Sequence, residues 1–237
     1  MWCIPCTFFI IACVLNLIGC VWSMELANTV KPALLPLLSA TTLACLLGQD
    51  IEDYRPAGLL VAAQLMGFAG DTFLLSSRFG FFIGGIVAFL IGHVFYMILI
   101  GGRSWKGLTL GQWAISVAVM VTVLLGLVRT IGIEGPMFWP MLVYGFALML
   151  LIFSALAGVM RVPRGKRGTW WILLAGALLF AVSDSCLALG TFGVMTFALR
   201  DFLVMSTYLL AQSLLAMGGV RLILGNYSYI CKTRAEG

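Results

Sequence analysis

Charged side chains are scarce in this sequence of 237 residues: Lys, Arg, Asp and Glu make up 10% of it, and 62% is hydrophobic. Ordinary soluble domains carry roughly a quarter charged residues. A chain with so few charges cannot cover itself with a polar surface. This excludes a soluble enzyme, a disordered protein, a nucleic-acid-binding protein and a disulfide scaffold. The mean hydropathy of +1.10 and the placement of the charges between long apolar runs indicate a polytopic membrane protein.

Eight apolar runs are each long enough to cross a hydrocarbon core of ~30 Å as an α-helix, which takes about 20 residues. The spacers between the runs are short and hold most of the Gly, Pro, Arg and Lys residues. We therefore predict an all-α fold in which residues 1–237 form a single integral membrane domain with about eight transmembrane helices. The predicted spans are 5–23, 31–48, 57–76, 80–101, 111–132, 137–160, 169–190 and 201–224.

The basic residues predict the orientation of the chain. The block Arg161-Val-Pro-Arg-Gly-Lys-Arg is the strongest single signal. With eight alternating helices, this block and both termini lie on the side richer in Lys and Arg, which the positive-inside rule places in the cytoplasm. The short tails favour a bacterial cytoplasmic membrane, and the endoplasmic-reticulum membrane is the alternative.

A faint internal repeat links the third and seventh predicted helices. One contains Phe68-Ala-Gly-Asp71, and the other contains Phe180-Ala-Val-Ser-Asp184. Because four helices separate the two copies, both run in the same direction, and the chain would then consist of two parallel four-helix repeats. The alternative is a chance similarity between two apolar helices.

Asp71 and Asp184 are the most informative residues of the sequence, because a charge in the middle of a membrane span costs at least ~2.5–3.5 kcal/mol. Each lies five or six residues before the predicted outer end of its helix. At 1.5 Å per residue both lie roughly 8–9 Å below that end, so we expect them to line one cavity opening toward Lys31 and Arg200. The alternative for each Asp is a structural role against a neighbouring helix.

Polar side chains on two other helices repeat at helical spacing. On the last helix, Asp201, Tyr208 and Gln212 share one face, and on the fourth helix His93 and Tyr96 do so. We predict that Gln212 and Tyr208 line the same cavity as the two Asp residues. His93 is predicted either to join helices 3 and 4 by a hydrogen bond or to relay protons.

Lys31 is followed by Pro32, which suits the first turn of a helix, so the two residues are predicted to open the second helix. On the outer side, a lysine here can pair with an Asp or hold a phosphate. The alternative is an interfacial lysine whose charged end reaches the membrane surface.

Several kinds of site are not expected, because the residues that build them are missing. One histidine and no His/Cys cluster exclude a three-histidine zinc site, and no phosphate-binding or nucleophile-elbow motif occurs in a strand–helix context. We predict no metal and no cofactor. Ser183 adjoins Asp184, but no histidine can be assigned to it, so a serine-hydrolase triad is not expected.

Five weak motifs follow one another along the chain on five predicted helices. They are Lys31-Pro32, Gly70-Asp71, Phe82-x2-Gly85-x3-Phe89-x3-His93-x2-Tyr96, Phe180-x2-Ser183-Asp184 and Tyr208-Leu-Leu-Ala-Gln212. In this order they resemble the YhhN-like family of eight-helix membrane proteins, which includes the animal lysoplasmalogenases. The resemblance covers nearly the whole chain.

The resemblance implies hydrolysis of the vinyl ether bond of lysoplasmalogens, which are single-chain glycerophospholipids with a choline or ethanolamine headgroup. The products would be a fatty aldehyde and the glycerophospho-alcohol. The partners would be the lysophospholipid substrate and membrane lipids. Protonation of the alkenyl carbon makes an oxocarbenium ion, to which water adds. Two carboxyl groups in a poorly solvated site can divide those tasks, so Asp71 and Asp184 are predicted as the catalytic pair, in either assignment of acid and base.

The other candidate residues are predicted to bind the substrate. Tyr208 and Gln212 would orient water or the ether oxygen, and Lys31 would approach the phosphate. The predicted substrate-binding set is Lys31, His93, Tyr96, Ser183, Asp201, Tyr208 and Gln212.

Two other functions stay open. Paired intramembrane carboxylates and weak repeats also suit a proton-coupled transporter, and the composition also suits a lipid-binding or structural membrane protein. The polar residues gather toward one face of the membrane, which favours an enzyme with a single cavity.

Overall fold

The computed structural model describes residues 3–49, 51, 53–76, 78–105, 109–132, 135–163, 165, 167–193 and 199–235. Within these residues the chain forms eight long α-helices, one short 3-10 helix and no strand, which confirms the predicted all-α class. The long helices are α1 (Cys3–Trp22), α2 (Met24–Leu46), α3 (Arg55–Phe73), α4 (Phe79–Ser104), α5 (Leu110–Ile131), α6 (Phe138–Arg161), α7 (Gly168–Thr191) and α8 (Arg200–Ala235), and the 3-10 helix is Gly135–Met137.

Seven of these eight helices are long and apolar enough to cross a membrane, so the chain is an integral, multi-pass membrane protein. The exception is α3, whose apolar sequence is interrupted by Gln64 and Asp71. Both residues are buried, because α3 packs against α2, α4 and α8. Gln64 and Asp71 therefore lie inside the bundle rather than against lipid.

Seven helices form a closed ring. Helix α1 packs against α2, α2 against α3 and α3 against α4. Helix α4 packs against α6, and α6, α7 and α8 continue the ring back to α1. Helix α8 also contacts α2 and α3, so it lies near the centre of the molecule. The first helices of the two halves differ in their surroundings, since α1 packs against α2 and α8 whereas α5 packs mainly against α6. The duplication of the two halves stays a prediction.

Helix α2 begins seven residues before its predicted start. The hydroxyl of Ser23 caps it by accepting a hydrogen bond from the backbone N–H of Leu26 at 3.4 Å. The prediction that Lys31 and Pro32 open this helix is therefore wrong: they lie about two turns inside it. A proline inside a membrane helix is tolerated because neighbouring helices and local adjustments compensate for the missing N–H. Lys31 consequently reaches the interior, and only 17% of its side chain is exposed.

The two Asp residues do not lie at equal depths below their helix ends, as the sequence had suggested. Helix α3 ends at Phe73, so Asp71 lies in its last turn, whereas Asp184 lies seven residues before the end of α7.

Helix α8 continues well past its predicted end at residue 224. Of the basic block used for orientation, Arg164 and Lys166 lie outside the described residues.

The closest approach of α1 and α2 is at Gly19. A Cβ atom placed there would lie 2.5 Å from the backbone nitrogen of Ala27. One turn earlier, Asn16 donates from Nδ2 to the carbonyl of Ala27 at 2.9 Å, which ties the two helices together. The hairpin therefore depends on a residue without a side chain at position 19.

We expect Gly19→Ala to lower the free energy of unfolding by about 1–3 kcal/mol, because the two backbones must move apart. The matched control is Gly126→Ala on α5, where an added Cβ has no neighbour within 4 Å. That change should leave stability unchanged or raise it by up to ~1 kcal/mol through helix propensity. Thermal unfolding in one detergent compares the variants, and equal melting temperatures would contradict the expectation.

Candidate functional site

A cavity of about 760 Å³ lies at the end of the bundle where α2, α4, α6 and α8 begin and where α3 and α7 end. Its wall is polar on the side of α2, α3 and α8 and apolar on the side of α4. Arg200, which was predicted to mark the opening, lines the cavity. Six of the predicted site residues also line it: Lys31, Asp71, Ser183, Asp184, Asp201 and Tyr208.

Asp71 is held by two polar contacts. Its Oδ1 lies 3.5 Å from Nζ of Lys31, and its Oδ2 accepts a hydrogen bond of 2.8 Å from the hydroxyl of Tyr208. Asp71 is only 3% exposed, so bulk water screens these contacts little. A buried carboxylate is costly unless it is paired and hydrogen-bonded, and Asp71 has both kinds of partner. The contacts stabilise its charged form.

A line of hydrogen bonds runs from Asp71 into the core. The hydroxyl of Tyr96 donates to Oε1 of Gln212 at 2.9 Å, and Nε2 of Gln212 donates to the hydroxyl of Tyr208 at 3.4 Å. Tyr208 donates in turn to Asp71. Because every donor points toward the carboxylate, each bond polarises the next in the same direction.

Gln212 and Tyr96 lie behind the cavity wall. The prediction that Gln212 lines the cavity is wrong, because Tyr208 lies between it and the open space. Gly67 lets these side chains approach α3, since a Cβ atom there would meet Gln212 and Tyr208 at 3.2 and 3.3 Å. Gln212 and Tyr96 thus act on the cavity through Tyr208.

Asp184 has different surroundings. Its Oδ2 accepts a hydrogen bond from the hydroxyl of Tyr144 on α6. Among the described residues, no Lys or Arg lies within 4 Å of its carboxylate, and the residue is partly exposed to the cavity. Of the two carboxyl groups predicted to be catalytic, Asp71 therefore lies beside a cation and Asp184 does not.

Sequence reasoning missed Tyr144. The signal that could have identified it is a lone tyrosine hydroxyl within the apolar sequence of α6. Hydropathy, however, does not tell which helix lies beside α6, so the partner of this hydroxyl follows only from the packing of α6 against α7.

Three further cavity residues, Ser183, Arg200 and Asp201, also have polar partners within the protein. The hydroxyl of Ser183 donates to the backbone carbonyl of Val204 at 3.0 Å, which ties α7 to α8. Asp201 forms an ion pair of 2.9 Å with Arg200, and both side chains are about one-third exposed. Ser183 thus has a structural contact, while Arg200 and Asp201 place opposite charges at the rim.

His93 lies in the core and not at the cavity. Its ring packs against Phe180 with 4.7 Å between centroids and lies 5.3 Å from that of Tyr144. Neither ring nitrogen has a hydrogen-bond partner among the described residues. Since its ring contacts are with α6 and α7, the prediction that His93 joins helices 3 and 4 by a hydrogen bond is wrong. Its role as a proton relay stays a prediction.

The arrangement suits proton transfer. The cavity brings together a carboxylate with a cation beside it and a second carboxyl group beside apolar walls, which is how one site can hold a base and an acid together. In the part of the chain that the structure describes, no three His, Cys, Asp or Glu side chains are grouped closely enough to hold a metal ion.

Comparison with known proteins gives a family and two relatives. The profile of the YhhN family matches residues 26–219, which include every site residue described above. Two proteins named Lysoplasmalogenase TMEM86A are each 31% identical to this chain, the one from Bos taurus over 154 residues and the one from Homo sapiens over 160 residues. Each match covers 64% of this chain and 60% of the relative, so the chain spans about three fifths of the length of these relatives. No solved structure matches the chain.

Proposed function

The chain belongs to the YhhN family, and from this premise we propose that it is a lysoplasmalogenase-type hydrolase that cleaves vinyl ethers in the cavity described above. The observation that carries the proposal is the pair Asp71 and Asp184, which line one cavity in contrasting surroundings. The names of the two relatives support the choice of substrate, a lysophospholipid with a 1-alkenyl chain.

Asp184 is the general acid of this proposal. Tyr144 occupies Oδ2, which leaves Oδ1 free to carry a proton toward the cavity. The absence of a neighbouring cation among the described residues favours the neutral carboxylic acid. The proton passes to the alkenyl carbon that is not bonded to oxygen, and the other alkenyl carbon and the ether oxygen then share the positive charge.

Asp71 is the base. Lys31 and the donors behind Tyr208 favour its ionised form. A carboxylate at this place stabilises the oxocarbenium ion and takes a proton from the water that adds to it. The resulting hemiacetal breaks into a fatty aldehyde and the glycerophospho-alcohol, so the only other reactant is one water molecule.

The charged rim fits the polar end of the substrate. Lys31 and Arg200 supply positive charge for a phosphate, and Asp201 lies beside Arg200, where the ammonium group of an ethanolamine or choline headgroup would come close. The cavity wall is formed by residues at one end of the bundle. This favours an enzyme with one entrance over a transporter, which needs a path to both faces.

The proposal is tested with purified protein in detergent, given a lysoplasmalogen and its saturated 1-alkyl analogue. We expect fatty aldehyde from the first substrate and none from the second. The transporter alternative is tested with proteoliposomes that contain a pH-sensitive dye, and proton flux without aldehyde release would contradict the proposal.

Tyr96→Phe tests the line of hydrogen bonds behind Asp71. We expect kcat to fall by up to about tenfold, because one hydrogen bond contributes ~0.5–1.5 kcal/mol and its loss leaves Gln212 free to turn away from Tyr208. KM should not change, since Tyr96 does not line the cavity. The control is Tyr54→Phe at an exposed position. A rise in KM with unchanged kcat would contradict this account.

A further inference from the structure

Asp184 borders two apolar pockets as well as the polar cavity. One pocket lies inside the bundle among α3, α4, α6 and α7, where Leu74, Ile86 and Phe89 line it. The other lies between α5 and α7, on the surface of α6. The polar cavity and the two apolar pockets thus meet at one carboxyl group.

The second pocket, which we name the α5–α7 crevice, is lined partly by small residues. Its lining on α6 and α7 includes Gly145, Ala181 and Ala188, and across from them stand Leu124 and Val128 of α5. Both α5 and α7 pack on α6 and have no extensive contact with each other, so the crevice lies along the outer side of the bundle.

We infer that the α5–α7 crevice holds the hydrocarbon chain of the single-chain lipid whose polar part occupies the cavity. This inference rests on the proposed function and deepens it. The polar and apolar parts of such a lipid meet at the ether bond, and the polar cavity and the crevice meet at Asp184. A lipid seated in both places therefore presents its alkenyl carbons to the carboxyl group.

The occupant is a flexible aliphatic chain. Apart from Tyr144, Asp184 and Ser185, the side chains of the crevice are apolar, so they offer a ligand little but van der Waals contact. The open volume is about 50 Å³. A chain enters by displacing side chains such as Leu124 and Met149, because α5 is held mainly by α6 and stands at the edge of the molecule.

Photo-crosslinking tests the inference without turnover. The probe is a 1-alkyl lysophosphatidylcholine with a diazirine near the middle of its chain, which has no vinyl ether to be cleaved. We expect label that is competed by excess unmodified 1-alkyl lipid to map to crevice residues such as Leu124, Val128 and Met149. Competed label on Ile86 would place the chain in the inner pocket and would overturn the inference, as would label that no competitor reduces.

A pair of adjacent substitutions adds a second measurement. Ala181 lines the crevice, whereas Val182 is 47% exposed on the outer face of α7. Ala181→Phe should reduce the competed label by roughly tenfold and shift aldehyde release toward shorter-chain substrates, because the ring takes the place of the chain. Val182→Phe should change neither. If both variants fold and show the same competed label and the same chain-length preference, the inference is overturned. If Ala181→Phe does not fold, the labelling pattern of the unmodified protein tests the inference.

The experiments distinguish an error in the inference about the α5–α7 crevice from an error in the proposed function. Aldehyde release together with label outside the crevice would overturn the crevice and leave the function standing. Competed label in the crevice without aldehyde from any vinyl ether would support the crevice as a lipid site and overturn the proposed reaction.

Discussion

Asp71→Asn and Asp184→Asn should each reduce aldehyde release by about 10²–10⁴-fold, the usual loss when a general acid or base is removed. Asparagine keeps the shape of the side chain but can neither give nor take the proton. The two variants should fail at different steps, because in the proposed mechanism Asp184 protonates carbon whereas Asp71 activates water. Product analysis by mass spectrometry after long incubation, with melting temperature as the measure of folding, provides the test.

The matched control is Asp53→Asn. Asp53 lies just before α3, at the opposite end of the bundle from the cavity, where its carboxylate accepts a hydrogen bond of 2.9 Å from the backbone of Arg55. This substitution removes the same charge and should leave turnover unchanged. A folded Asp71→Asn or Asp184→Asn protein with near-normal activity would show that the residue concerned is structural, and the acid–base assignment would then be wrong.

A substitution at Lys31 distinguishes two explanations for a loss of activity in Asp71→Asn, which are the loss of a catalytic group and the loss of the fold. Removing Asp71 also leaves the ammonium group of Lys31 without its partner, and an unpaired buried charge destabilises a protein strongly. The double variant Lys31→Met/Asp71→Asn removes both charges together. If it regains stability but kcat stays low at saturating substrate, the loss belongs to the chemistry of Asp71, because the loss of phosphate binding by Lys31 would appear in KM.

The sequence alone predicted the features that depend on hydropathy, which are the positions of the helices and the buried polar residues. Apolar runs of membrane-spanning length located the helices, since the bilayer core sets their length. The rarity of buried charge pointed to Asp71 and Asp184, and the helical spacing of Tyr208 and Gln212 placed both on the inner face of α8. These inferences use local periodicity and the high cost of a charge in hydrocarbon, and both can be read along a single chain.

The remaining features depend on contacts between residues on different helices, which local sequence patterns do not specify. The hydrogen bond between Tyr144 and Asp184 exists because α6 packs on α7, and nothing local to either residue indicates it. Pro32 suggested a helix start, but Ser23 caps the helix earlier, and this difference carries Lys31 inward to Asp71. The sequence left three possibilities for Lys31: an Asp partner, a phosphate and the membrane surface. The structure shows the Asp partner, and the position of Lys31 in the cavity wall leaves phosphate binding as part of the proposal.

Bond selectivity should separate this site from a general lysophospholipase. We expect cleavage of 1-alkenyl lysophospholipids and no detectable cleavage of matching 1-acyl or 1-alkyl compounds. A saturated ether has no double bond to protonate, so it cannot reach an oxocarbenium ion by this route. An ester calls for an activated nucleophile and oxyanion donors. The hydroxyl of Ser183 is bonded to the backbone of Val204, and the described part of the cavity wall contains no histidine.

The fate of the water oxygen tests the same mechanism by a measurement that does not depend on rate. Protonation of the alkenyl carbon directs water to the carbon that becomes the aldehyde, so the glycerol oxygen keeps its original isotope. In H₂¹⁸O, the glycerophospho-alcohol should therefore contain no label, and the aldehyde should be labelled if it is trapped before it exchanges with solvent. Label in the glycerol hydroxyl would mean that water displaces at the glycerol carbon. Neither Asp184 as a donor of a proton to carbon nor Asp71 as the base for water addition would then be needed, and the carboxyl pair would require another explanation.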